Sequence, residues 1–150
     1  MRLIQLGTIL LFALALVPGG AHLLEITNKM DLDRDAYMIV QQIYRGWDLI
    51  GIEQMATVMA GVILSVLSRQ QSAPFRLALA GSALLGSSLI VFFIWTFPVN
   101  LATDNWTVMP ENWIALRQQW EYSHAINAGL AFVALCCVVS SALAWKRPAT

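Results

Sequence analysis

Charge is scarce in this chain: aspartate, glutamate, lysine and arginine make up only 12% of it, too little to solvate the surface of a soluble domain. Cysteine is scarcer still, and the two present, Cys136 and Cys137, are neighbours. Adjacent cysteines make at best a strained disulfide, and without a CxxC pair thiol redox chemistry is not indicated. A glycine-rich phosphate loop, a Ser–His nucleophile device and a basic run are all missing, so neither nucleotide chemistry nor a nucleic-acid partner is expected. Neither HxxxH nor CxxCH occurs.

What is present is apolar: 58% of the 150 residues are hydrophobic. Four stretches, near Leu3–His22, Leu49–Ser68, Leu77–Phe97 and His124–Trp145, are each long enough to cross ~30 Å of hydrocarbon, which takes about 20 helical residues. None shows the alternation of a barrel strand, and an open sheet edge in lipid would leave backbone groups unpaired. The expectation is an all-α integral membrane protein, one domain over residues 1–150, built as a four-helix transmembrane bundle. The first run is long and lacks a small-x-small site, so it is read as a retained span rather than a cleaved signal peptide.

The charges give a topology. Arg2, Arg69 with Arg76, and Lys146 with Arg147 mark three junctions free of acid, while all nine Asp and Glu lie in or beside the other two connections. The split is +5 on one face against 4 − 9 = −5 on the other. Only an even number of spans produces it, and the basic face, carrying both termini, is expected to be cytoplasmic. A bacterial inner membrane is the expected location.

Beyond the spans, Ala36, Ile39, Val40, Ile43, Tyr44 and Trp47 keep helical spacing after Asp31, Asp33 and Asp35, which are suited to N-cap or first-turn positions. Span two therefore extends back toward Arg34, and Met109-Pro110-Glu111 starts an extension of span four with proline at the first helical position. The two extensions, each about 35 residues with its span, make an extracytoplasmic helical cap roughly 50 Å from the inner face. Spans one and three show no extension, and Pro18-Gly19-Gly20 breaks helix one near its outer end. Ala78, Ser82 and Gly86 on span three, and Gly61 and Ser65 on span two, offer faces for close packing.

Counting from the basic anchors gives each polar side chain a height. His22 falls about 30 Å up, Glu53 about 24 Å, His124 about 33 Å and Asn127 about 28 Å, with Asn100 just above span three. One polar layer at the outer hydrocarbon boundary results. Glu53 is a carboxylate placed in an apolar run at a cost of up to about 2–3 kcal/mol, which marks it for function or for snorkelling to the headgroups. His22 and Glu25 are one turn apart and, with His124, form a candidate transition-metal set; the two histidines alone form a candidate haem pair. On span four Arg117, Trp120, Glu121, His124 and Asn127 share a stripe.

Phe97-Pro98-Val99-Asn100, Trp106, Pro110-Glu111-Asn112-Trp113, Arg117, Trp120 and His124 together resemble a pattern of the small four-span membrane proteins of the DUF1772 type, which include the anthrone-oxygenase-like proteins. The likeness in architecture covers nearly the whole chain; the motif covers Phe97–Asn127. It implies insertion of oxygen into an activated polycyclic phenol without an evident cofactor, with Asn100, Trp113, Arg117, Trp120 and His124 in the site. The leading expectation is thus a small-molecule site near the outer leaflet for an apolar phenol or quinone-like compound. Trp47, Trp113 and Trp120 wall it, Glu53, Asn100 and Asn127 line it, His124 removes a proton and Arg117 stabilises the oxyanion. The rival readings are a non-catalytic accessory subunit or lipid binder, and a haem- or metal-binding protein using His22 and His124. Beyond the lipid bilayer, the partner expected is a second copy or another membrane protein.

Overall fold

A backbone in lipid has no water to bond, so each apolar run closes its hydrogen bonds within itself as a helix. A computed structural model describes residues 1–146, apart from the side chain of Asp48. Among the described residues there is no strand, and five helices follow one another: α1 (Arg2–Met30), α2 (Arg34–Gln41), α3 (Ile50–Leu67), α4 (Ser72–Ala102) and α5 (Trp113–Leu143). All but α2 are long and apolar enough to span a membrane, which makes this an integral membrane protein of four apolar helices. α3 and α5 each pack against α1 and α4, and so face one another across the diagonal of the bundle.

The basic junctions meet at one end. The side-chain amide of Gln71, in the turn between α3 and α4, donates to the Lys146 carbonyl at 2.8 Å and accepts from the Lys146 N–H at 2.9 Å. Arg69 and Lys146 therefore share a bundle end, as the charge split requires; Arg147, the last member of that set, lies outside the described residues. The adjoining core is small and apolar, with Phe12, Leu64, Ala78, Leu85, Ala134 and Val138 buried together. Lipid tails are as apolar as leucine, so helices associate here by close contact rather than by exclusion of water. Gly81 lets α4 approach α5 so nearly that a Cβ there would stand 2.9 Å from the Ala134 carbonyl oxygen. Gly61 and Ser65 are buried as expected, but Gly86 has open space around it, so on α4 the closest approach belongs to Gly81.

The acidic end, expected to face outward and called the outer end on that ground, departs from the sequence expectation in four places. α1 is not broken at Pro18-Gly19-Gly20; it continues to Met30 and carries Glu25 and Lys29 upward. The glycine there allows contact rather than a break, since a Cβ on Gly19 would lie 3.2 Å from Cα of Ala128 on α5. Span two does not run back to Arg34: α2 is a separate helix, ended by a short 3-10 turn over Gln42–Tyr44 and by Gly46 at φ +87°. That left-handed conformation, open to glycine at little steric cost, reverses the chain before Ile50. Asp33 caps α2, its Oδ1 accepting from the Ala36 N–H at 2.8 Å. Span three does extend, because a π-helical turn at Phe92–Thr96 lets α4 pass through Pro98 to Ala102. Finally α5 starts at Trp113 rather than Pro110, with Asn112 at its N-cap. The cap is therefore made by the ends of α1, α4 and α5 together with α2, not by helices two and four alone.

Candidate functional site

Two of the expected residues meet closely. The rings of His22 and His124 stack with centroids 4.2 Å apart and planes 27° from parallel. Trp120, one turn before His124 on α5, lies 4.2 Å from the His124 ring and stands edge-on to His22 at 4.9 Å. Tyr44 closes on His22 at 4.4 Å and Trp47 at 5.8 Å. Trp120 is fixed in turn by Asn100, whose Oδ1 accepts from the indole N–H at 2.9 Å. The π-helical turn precedes this contact, and its Thr96 hydroxyl bonds that of Ser123 on α5 at 2.7 Å. A π-turn shifts the register of the residues after it by about one position, and Asn100 follows that shift.

The centre of the outer end is a lysine that the sequence reading left among the loop charges. Lys29 is buried, and its ammonium lies 2.9 Å from Glu121 Oε2, 3.2 Å from the Tyr44 hydroxyl and 3.1 Å from His22 Nδ1. An ammonium has three donors and no acceptor; each donor here has one neighbour. His22 Nδ1 therefore accepts, and the ring proton sits on Nε2. Tyr37 donates to Glu121 Oε1 at 2.8 Å, and Tyr44 donates to Glu25 Oε2 at 2.5 Å. A continuous set, Glu25–Tyr44–Lys29–Glu121–Tyr37, thus crosses the cap from half-exposed Glu25 to fully buried Tyr37. Burial, and after it the neighbouring carboxylate, pushes both tyrosine hydroxyls well above the ordinary phenol range.

Arg117 and Trp113 lie on the Tyr37 side. The Arg117 NH1 donates to the carbonyls of Leu32 at 2.8 Å and Lys29 at 3.3 Å, closing the C-terminal end of α1, where the helix dipole favours a cation. Its guanidinium covers Trp113 at 4.7 Å and Tyr37 at 5.4 Å. Arg117 is thus engaged in holding α1 to α5. Glu53 is not joined to the histidines by any hydrogen bond or ion pair among the described residues; its Oε1 accepts from Thr57 at 2.6 Å, while its Oε2 is buried without a partner. His124 Nε2 and Asn127 Oδ1 are likewise buried and unpartnered.

Among the described residues no three His, Cys, Asp or Glu side chains gather to hold a metal ion. His22 faces a cation, and Glu25 is turned to Tyr44. Nor does the pair suit a haem iron, whose axial histidines point their nitrogens at each other from opposite faces of the ring system rather than stacking. The spacing Glu121-Tyr122-Ser123-His124 is an ExxH on α5, but its carboxylate is turned to Lys29 and Tyr37. Sequence reasoning missed Lys29, Tyr37 and Tyr44. Only a lysine with an acid four residues earlier, Glu25, signalled any of them.

No protein-family model, curated protein or solved structure matches the chain.

Proposed function

We propose that the histidine pair is the binding site of a small apolar ring compound bearing a carbonyl or hydroxyl, of the quinone or phenol class. One observation carries this reading. His22 and His124 are boxed by Trp120, Tyr44 and Trp47, yet the Nε2 of His124 is shielded from solvent and has no protein partner. A buried polar atom left so costs about 1–3 kcal/mol, which a ligand oxygen recovers. Flat aromatic walls suit a flat ligand, and Asn127, one turn beyond His124, has an unpartnered Oδ1 that accepts from a ligand hydroxyl. By the excess of Lys and Arg at its inner end the bundle sits with both termini in the cytoplasm and this site toward the outer leaflet.

A stronger form of the proposal rests on the sequence resemblance alone: His124 takes a proton from the ligand, the resulting anion adds to dioxygen, and the hydroperoxide so formed loses water to leave a carbonyl. The geometry favours His124 for the first part. For the second, the donors of both nearby cations are engaged, Arg117 with the α1 carbonyls and Lys29 with Glu121, Tyr44 and His22, so an anion would have to displace one of these partners.

The test is a titration of detergent-purified protein with 2,3-dimethyl-1,4-naphthoquinone, which cannot add to cysteine, read by tryptophan fluorescence. Saturable quenching, weakened about tenfold or more in His124→Ala, is the expected result, tenfold being ~1.4 kcal/mol. Equal affinity in the variant and the parent would overturn the assignment.

A further inference from the structure

A second group of unpartnered atoms lies in the cap, around Tyr37. Trp106 Nε1 and Arg117 Nε are buried without an acceptor, and the Gln41 amide is buried with neither its Nε2 nor its Oε1 partnered. Each residue is more than nine-tenths buried, at 4%, 3% and 7% exposure. Each also borders the Tyr37 ring. Trp106 meets it edge-on at 5.1 Å, Arg117 lies over it at 5.4 Å, and Gln41 follows Tyr37 by one turn on α2. We propose that these three N–H groups form a carboxylate-binding site in the cap, separate from the histidine pair.

The donor set points to an acceptor-only ligand. Indole and guanidinium nitrogens donate and never accept, so a partner for both must bring lone pairs without needing to give a proton. The charge points the same way. Among the described residues Arg117 has no carboxylate within ion-pair distance; its acceptors are two backbone carbonyls. Among the described residues the one fully buried carboxylate, Glu121, is taken by Lys29 and by the Tyr37 hydroxyl. A buried cation without an anion is costly, and an arriving carboxylate relieves that cost. One cation and flat aromatic walls suit a planar monoanion better than a phosphate, which would bring a second charge.

The backbone adds an independent observation. Asp104, Asn105 and Trp106 are consecutive left-handed residues, with φ of +45°, +52° and +63°. Such conformations are disfavoured for a bulky side chain and persist where the surroundings over-determine them. Here Thr103 Oγ1 accepts from the Trp106 N–H at 3.1 Å, and the turn delivers the indole into the cap beside Tyr37 and Trp120.

The experiment uses the whole protein in detergent, with benzoate as probe and benzamide as its uncharged counterpart, read by tryptophan fluorescence and by the thermal unfolding midpoint. Benzoate is expected to bind saturably and raise the midpoint, and benzamide to do neither. Trp106→Phe keeps a ring and removes the N–H, and should weaken benzoate about tenfold, the weight of one hydrogen bond to a charged group. His124→Ala should leave benzoate unaffected while losing the quinone, which separates failure here from failure of the histidine site. No saturable response to benzoate, an equal response to benzamide, or unchanged affinity in Trp106→Phe each overturns the proposal. Should Trp106→Phe show no unfolding transition, Gln41→Leu takes its place with the same two outcomes.

Discussion

At the inner end of the bundle the helices touch through what is missing from their side chains: Gly81 sets α4 against the backbone of α5, and Gly61 leaves room for the Phe12 ring, which would stand 3.0 Å from a Cβ there. At the outer end they touch through large rings and ions, with Lys29, Glu121, Tyr37 and Trp120 joining three helices. The inner contacts depend on fit and leave little chemistry exposed. The outer ones need every donor matched, and His124, Asn127, Gln41, Trp106 and Arg117 keep atoms unmatched there, against Gln5 and Ser68 at the inner end. A polar interior that rigidifies the cap and yet retains free donors and acceptors is what a binding site requires. A satisfied scaffold would have no such remainder.

The contrast is broken most strongly at Lys29. Lys29→Met leaves Glu121 buried without its cation, and about 3–5 kcal/mol of stability should be lost, as for one-sided removal of a buried pair. Equilibrium unfolding in mixed detergent measures it. Adding Glu121→Gln to Lys29→Met should recover part of the loss, because the uncompensated charge is then gone.

Next in size is the inner end. Gly81→Ala would press a methyl group on the Ala134 carbonyl and on Val138 Cγ2, both at 2.9 Å, and a backbone carbonyl cannot turn aside. A loss of about 1–3 kcal/mol is expected, against no loss in Gly86→Ala, where nothing lies within 4 Å. Unfolding of the two variants side by side checks the pair.

The smallest effect is a matter of pH and belongs to the outer end alone. Tyr37 and Tyr44 are held protonated above the ordinary phenol pKa of about 10. A raised pKa in the folded state gives stability that is complete below that ordinary value and is lost as pH rises past it. The slope is at most about 1.4 kcal/mol per pH unit for each tyrosine. Unfolding midpoints between pH 9 and 11 should therefore fall, and fall less steeply in Tyr37→Phe.

Much of this architecture is legible in the sequence. The placement of Arg69 and Lys146 at one end follows from the distribution of acids, and the shared height of His22 and His124 follows from counting residues up each span. Height along an axis is what counting supplies; the angle around the axis is not. Glu53 has the right height, but it sits on α3, which packs against α1 and α4 and lies diagonally across from α5, and its hydrogen bond goes to Thr57. Tyr44 looks like an ordinary member of an apolar stripe and Tyr37 falls outside it, and neither pattern points to their partners, Lys29 and Glu121, which lie 15 and 84 residues away. The continuous spacing from Ala36 to Trp47 concealed the reversal at Gly46, whose φ no side-chain pattern records. Pro18 was misjudged for the opposite reason: within a bundle, neighbouring groups make good the lost hydrogen bond, so the helix continues.

The tie between Lys29 and Glu121 joins the first long helix to the last, across most of the chain. During synthesis the lysine is inserted with only half-exposed Glu25 beside it, well before Glu121 exists, so until α5 emerges it must keep its charge at the water boundary. Closure of the cap is then the final act of assembly. A chain stopped short of Glu121 would leave an unsealed rim, open to quality-control proteases on that side of the bilayer.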